Sequence, residues 1–512
     1  MKSPEDQQAT TRTSFLRRFV TRFRRRRRVH VDESFWTIES WALAVGCLMS
    51  TEYSNRRCPG EGLVASSSTK AMGCSAPRVV VGGAGPGAVE TISDAVQNAV
   101  PGTRILVRPG WYRESVVLDR PVEIIGDGPA DKIIIESVDA PCILARTGHA
   151  LVRGLTMRSS EHFTVEIGEG EMILEDCDLS SGWFACIVAQ GDGTNPTIRG
   201  CNIHDGQQRG IVFTEHAGGI VEDCEIYRNT QAGVMVERSA NPLIRRCKIY
   251  DGNASGIHVT GGGAGVIEEC EVFGNAGANV DVEQGGNPIV RRTQIHNGAR
   301  QGVYFTQYGR GVLEECEVFG NGWAGIAILG NSTPEVVRCR IHNGAENGIL
   351  ISDADGTIVE CDIYGNVEAG ALVTRASNPT LRECHFHDGP QYGVQITRGA
   401  RADFDRCEFS RNAWAGVEIS EGAAPRMRHC RIHHGLDAGV AFRSGAGGSL
   451  EECDVRSNAR AGVLIEAGCD PVITGRIDGI LHKHSSTCEA ASPVLSANSV
   501  PDGETSDGAV AA

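Results

Sequence analysis

His258, Asp281 and Tyr304 stand 23 residues apart, each inside a short apolar stretch: GIHV at 256–259, NVDV at 279–282 and GVYF at 302–305. An imidazole beside a carboxylate can do general acid–base work, and the tyrosine adds a third chemically different group. Glu237 and Glu283 lie two residues beyond the matching position in their own stretches. Paired carboxylates of this kind can hold Ca²⁺. Trp323 and Trp414 share one repeat position and can stack on sugar rings or simply pack a turn. The plainer reading of all seven residues is an ordinary polar ladder with turn-packing aromatics, and from sequence alone it is preferred. No paired C-x-x-C string marks a metal site, and His482, His484 and Cys488 have only loose ligand spacing in a tail.

A 23-residue spacing needs a scaffold that repeats on that clock. Cysteines fall at 177, 201, 224, 247 and 270, then at 316, 339, 361, 384, 407, 430 and 453, with Thr293 filling the gap. Prolines at 196, 242, 288, 334, 379, 425 and 471 keep a clock of double length. Around each cysteine, as in VIEECEVFGN (266–275), apolar and polar residues alternate at strand period. A turn follows, then a second short alternating strand that opens on a glycine: GVMVE, GIHVT, GVYFT, GVEIS. Five residues past each cysteine only Gly or Asn occurs, from Gly206 and Asn229 to Gly435 and Asn458. These two residues enter the left-handed region most cheaply, so a turn through positive φ is expected there.

Short strands, tight turns and a fixed period specify an all-β chain: a single-stranded right-handed parallel β-helix, a solenoid of roughly 16 coils stacked at the strand spacing. The outward residue of successive Gly-Val-x-Val strands is then Val212, Met235, His258, Asp281, Tyr304 and Ala327, which brings the three candidate catalytic residues side by side. The cysteines form an internal ladder of small buried side chains, not a disulfide framework. Glu222, Arg245, Glu268, Arg291 and Glu314 alternate in sign from coil to coil, predicting outer ion pairs that fix register on a solvated face. TISDAVQNAV (91–100) has helix spacing with Thr91 as N-cap, and is expected to cover the open first coil. The division expected is 1–80, a basic and mostly disordered region; 81–480, the β-helix; and 481–512, a disordered tail.

Charge is unevenly spread. Residues 1–30 hold nine Arg and one Lys against Glu5 and Asp6, a net +8, so the total of −15 leaves −23 for the rest. An acidic body does not suit nucleic acid, and meets anionic polysaccharide well only through bridging cations. The stretch SFLRRFVTRFRRRRRVH reads as a nuclear or anion-binding arm, a transit peptide or a membrane-surface helix. WALAVGCLM is too short to span a bilayer. Many free cysteines favour an intracellular location, in cytoplasm or nucleus.

TISDAVQNAVPGTRILVRPGWYRESVVLDRPVEIIGDG (91–128) resembles the first coils of pectin-lyase-like β-helix proteins. The repeats NPLIRRCKIYDGNASGIHVTGGGAGVIEECEVFGNAGANV and GVLEECEVFGNGWAGIAILGNSTPEVVRCRIHNGAENGIL resemble the β-helix of F-box-only protein eleven and its relatives. In that family Asn usually stands where this chain has its cysteine row, and the first 80 residues here show no F-box. The resemblance implies a non-catalytic recognition solenoid, in the manner of a ubiquitin-ligase substrate receptor. It would be a monomer without cofactor, binding a protein or glycan along its side. The alternative implied by the wider fold is a carbohydrate-active enzyme: a polysaccharide lyase, hydrolase or epimerase using His258, Asp281 and Tyr304, with Ca²⁺ relevant only there.

Overall fold

The computed structural model describes residues 76–83 and 89–483. The Arg-rich segment, WALAVGCLM, His484 and Cys488 lie outside these residues. Each coil supplies three short strands. In the coil of Cys247 they are Leu243–Arg245, Lys248–Tyr250 and Ile257–Val259. The first two join one sheet and the third joins a second sheet. Pairing is parallel and links residues one coil apart, as in Leu243 with Val266, Tyr250 with Phe273, and His258 with Asp281. The second sheet runs through 17 strands, from Val116–Leu118 to Ile480–Lys483, one more than the 16 coils expected. The helix α1, Ile92–Gln97, buries Ile92, Ala95 and Val96 at the first coil, and the Thr91 hydroxyl accepts from Asp94 N, the expected N-cap.

Inside the coils, like residues stack on like. Ile244, Cys247 and Ile249 are all buried, and so are their counterparts above and below. The Cys247 thiol donates to Val221 O of the preceding coil at 3.5 Å and to Arg245 O at 3.3 Å. Cys270 repeats the pattern on Ile244 O and Glu268 O. Thr293 fits the file because its hydroxyl donates to Arg291 O at 3.0 Å and accepts from Cys270 N at 3.4 Å. For Cys201, Cys247 and Cys339, the thiols on either side and then burial hold the pKa well above the ordinary value. Cys270→Ala is therefore expected to fold and lose little, whereas Cys270→Phe overpacks the file and costs about 1–3 kcal/mol or more. Denaturant midpoints of the two variants check this. Ready reaction of most of these cysteines with a thiol reagent in the native protein would refute the internal ladder.

The left-handed residue is not the Gly/Asn row, as expected, but the residue before it. Asp205, Arg228, Asp251, Gly274, Asn297 and Gly320 have φ between 50° and 66°. What selects Gly and Asn one place later is packing. Asn275 is buried, and its Oδ1 accepts from Gly252 N at 3.0 Å in the coil before, while its Nδ2 donates to Ile249 O. A Cβ on Gly252 would meet that Oδ1 at 3.0 Å, and one on Gly206 would meet Asn229 Oδ1 at 2.6 Å. One asparagine thus serves two coils, and its neighbour must be glycine. Proline alternates with glycine in the same way: a Cβ on Gly265 would lie 2.6 Å from Pro242 O. These two pairings are the physical origin of the doubled clock.

The outer charge ladder forms as expected, with Arg245 Nε on Glu222 Oε2 at 2.7 Å and Arg291 Nε on Glu268 Oε2 at 2.8 Å. It is less solvated than expected at one rung. Glu222 is buried and takes Arg199, Arg245 and Arg246 together. Beside this ladder nine rings stack face to face from His204 through Tyr227, Tyr250, Phe273, His296, Phe319, His342 and Tyr364 to His387, with centroids 4.6–5.3 Å apart.

Candidate active site on the second sheet

Residues at the middle of each second-sheet strand point outward, because their two neighbours point into the core. Ile257 and Val259 are buried, while His258 between them is half-buried. Register sets His258 beside Asp281 and Asp281 beside Tyr304, as the spacing predicted. The row is apolar on both sides of this trio: Val188, Val212 and Met235 lead in, and Ala327, Leu350 and Leu372 follow. Three polar groups interrupt an apolar strip.

Asp281 has the least comfortable setting. Its Oδ2 accepts from Ser255 Oγ at 3.3 Å, and its Oδ1 is buried with no hydrogen-bond partner. Burial raises its pKa; the charge of His258 works against the rise and that of Glu283 with it. Glu283, just past the end of that strand, behaves oppositely. His258 Nε2 lies 3.2 Å from Glu283 Oε1, and that contact holds the Glu283 carboxyl below its usual range. Burial lowers the His258 pKa, but the Glu283 hydrogen bond and the two carboxylates outweigh it and leave the imidazole raised. Burial also raises Tyr304.

A raised imidazole has a signed consequence. The native state holds the His258 proton more tightly than the unfolded chain, so its contribution to stability is full below about pH 6.5 and is lost as pH rises through the native value. The groups facing it are Glu283, Asp281 and the guanidinium of Arg209. His258→Asn should therefore melt progressively closer to the unaltered protein over the interval in which pH is raised from about 6.5, measured as paired thermal midpoints. A gap that stays constant over that interval would contradict the assignment.

The remaining candidates are arranged less tightly. Glu237 accepts from Thr214 Oγ1 at 3.1 Å, and Thr260 stands on the coil between Glu237 and Glu283, so the two carboxylates do not face each other as a Ca²⁺ pair would require. Trp323 is exposed on the turn leading into the strand after Tyr304, with Arg300 over its ring at 5.1 Å. Trp414 packs edge-on against Tyr392, a turn-packing role. Sequence reasoning missed Ser255, which fixes the Asp281 carboxyl, and Arg209, which lies over Phe184 with its pKa lowered by burial. Ser255 sits on a turn and Arg209 on the first residue of its strand, where alternation does not yet mark the inward direction.

A family profile described as the right handed beta helix region matches residues 141–278, 244–382 and 369–477. The chain belongs to the right-handed β-helix family. Among solved structures it is similar to the periplasmic alginate epimerase AlgG, at 12% identity over 70% of this chain and 82% of that one, with a TM-score of 0.42. It is similar to pectate lyase Pel9A at 14% identity over 55% and 79%, with a TM-score of 0.32. It is also similar to the A-module of the Azotobacter vinelandii mannuronan C-5 epimerase AlgE6, at 17% identity over 78% and 94%, with a TM-score of 0.25. Likenesses at this level reach no further than the β-helix architecture, and the functional reading rests on the strip itself.

Proposed function

We propose that this β-helix is a carbohydrate-active enzyme that hydrolyses a neutral glycan laid along the outer face of its second sheet. One observation carries the reading: two neighbouring carboxyls have opposite settings, Asp281 with its Oδ1 buried and unpartnered and Glu283 in a 3.2 Å contact with His258, and these push the first pKa up and the second down. Glycoside hydrolysis needs such a pair, one carboxyl protonated as general acid and the other ionised as base or nucleophile.

In this reading Asp281 protonates the leaving glycosidic oxygen. Glu283, kept ionised by His258, attacks the anomeric carbon or activates water there. His258 positions Glu283, and Tyr304 extends the polar strip toward Trp323, whose exposed ring offers a sugar-stacking surface. Lyase and epimerase chemistry at a uronic acid asks instead for cations around the sugar carboxylate, whereas this strip sets three carboxyls, Glu237, Asp281 and Glu283, against the guanidinium of Arg209 and the imidazole of His258, which is itself engaged with Glu283. Of the two expectations drawn from sequence, the geometry favours the enzyme over the recognition module, which has no use for a buried carboxyl oxygen left without a partner.

The test is product chemistry. The full chain is incubated with neutral polysaccharides and, separately, with polyuronates with and without Ca²⁺. New reducing ends from a neutral glycan are expected. Unsaturated or epimerised uronate products would replace hydrolysis by the other chemistry, and tight glycan binding without turnover would restore the recognition reading.

A further inference from the structure

On the first sheet, away from the strip just described, the ring stack ends at His387, and there three metal-ligating side chains converge. We propose that Asp362, His385 and His387 form a binding site for a divalent transition metal ion of the zinc class. His385 and His387 are two apart on one strand, so both face outward, and Asp362 is the register partner of His385 on the preceding coil. The sequence signal was an H-x-H at strand spacing with Asp one coil earlier; paired cysteines are a different signature, and the expectation of no metal site rested on their absence.

The distances suit an ion. His387 Nε2 lies 2.9 Å and His385 Nδ1 3.6 Å from Asp362 Oδ1, and the three ligand atoms all fall within 4.8 Å of one another. Ligands about 2.0–2.2 Å from a tetrahedral zinc stand about 3.3 Å apart, so two of the three separations already bracket that value. The third closes by a small rotation of rings whose centroids are 4.0 Å apart.

The second, independent observation concerns the other ring nitrogens. Each is already held by an oxygen: His387 Nδ1 by Asp388 Oδ2 at 2.6 Å, and His385 Nε2 by Ser410 Oγ at 3.0 Å. Asp388 is in turn fixed by Arg411, with Nε on Oδ1 and Nη2 on Oδ2, both at 2.7 Å. A histidine whose far nitrogen donates to a carboxylate presents its near nitrogen as a lone pair, the orientation that metal-bound imidazoles require. Arg411 Nη2 also comes within 3.4 Å of His387 Nδ1, and Glu408 Oε1 lies 3.8 Å from His385 Nε2, on the side away from Asp362. Three protein ligands leave a fourth position to water or to an incoming donor.

Cobalt(II) is the probe, added to the full chain after chelator treatment. One equivalent is expected to bind with weak visible bands of nitrogen–oxygen ligation, and zinc should displace it. His385→Ala/His387→Ala and, with both rings kept, Asp362→Asn should each lose that equivalent while their far-ultraviolet dichroism matches the unaltered protein. Asp388→Asn should weaken binding about 10-fold or more. Absence of cobalt binding in the unaltered chain, undiminished binding in Asp362→Asn, or bands arising only from thiolate ligation would each overturn the site. Undiminished affinity in Asp388→Asn would overturn the orienting role given to that carboxylate.

Discussion

Asn321→Ala is expected to destabilise the solenoid by about 3 kcal/mol or more, although it removes only a small polar group. Asn321 is fully buried. Its Oδ1 accepts from Gly298 N at 3.0 Å and from Asn279 Nδ2 at 3.0 Å, and its Nδ2 donates to Ile295 O at 3.2 Å. Truncation strands three polar groups where no water reaches, and each unsatisfied group costs about 1–3 kcal/mol. Asn279 is itself buried and bonded to Asn275 Nδ2 at 2.9 Å, so the loss spreads along a network spanning several coils. Exposed Asn253 is the control, and Asn253→Ala should stay within about 0.5 kcal/mol. Denaturant midpoints of the two variants make the comparison. Because coils contact mainly their neighbours, amide exchange near Gly298 and Ile295 should rise further than exchange at the solenoid ends. Equal midpoints for the two variants would show that the Asn row does not hold the coils in register.

Much of this architecture is legible in the sequence because a solenoid writes the same instruction many times. The cysteine clock gave the coil length, and the stacking of His258, Asp281 and Tyr304 followed from arithmetic on it. The same arithmetic misplaced the left-handed turn by one residue. Gly and Asn in a repeat suggest backbone freedom, whereas Gly252 is glycine because Asn275 reaches across to it. That is a contact between coils, and no single repeat displays it. The burial of Glu222 beneath three arginines escaped for a similar reason, since alternation of sign shows pairing but not depth. At the site, positions inside strands were readable, and those on turns and at strand starts were not. The repeat marks Glu283 as a flanking carboxylate, but its partnership with His258 depends on side-chain reach across one rung. The opposite settings of Asp281 and Glu283 come from the burial of the first and from the hydrogen bond of His258 to the second, and only the folded chain assembles them.

Asp281→Asn is expected to lower turnover of a neutral glycan about 1,000-fold, the usual scale for loss of a general acid. The amide keeps the shape and can still accept from Ser255 Oγ, but it has no proton to give a leaving oxygen. Since the native carboxyl leaves Oδ1 buried and unpartnered, the substitution should not lower the melting temperature, and relief of that desolvated acid can raise it. Glu283→Gln should produce a loss of similar size through the other half of the reaction. Glu237→Gln and Trp414→Phe lie outside the pair and should change turnover by far less. Hydrolysis by the Asp281–Glu283 pair is tested most directly by the rate of reducing-end release from a neutral polysaccharide by the unaltered chain and by Asp281→Asn, at matched melting temperature. Release is expected to fall about 1,000-fold in the variant; release that is equal in the two proteins, or absent from the unaltered chain across neutral glycans, would rule out Asp281 as the general acid.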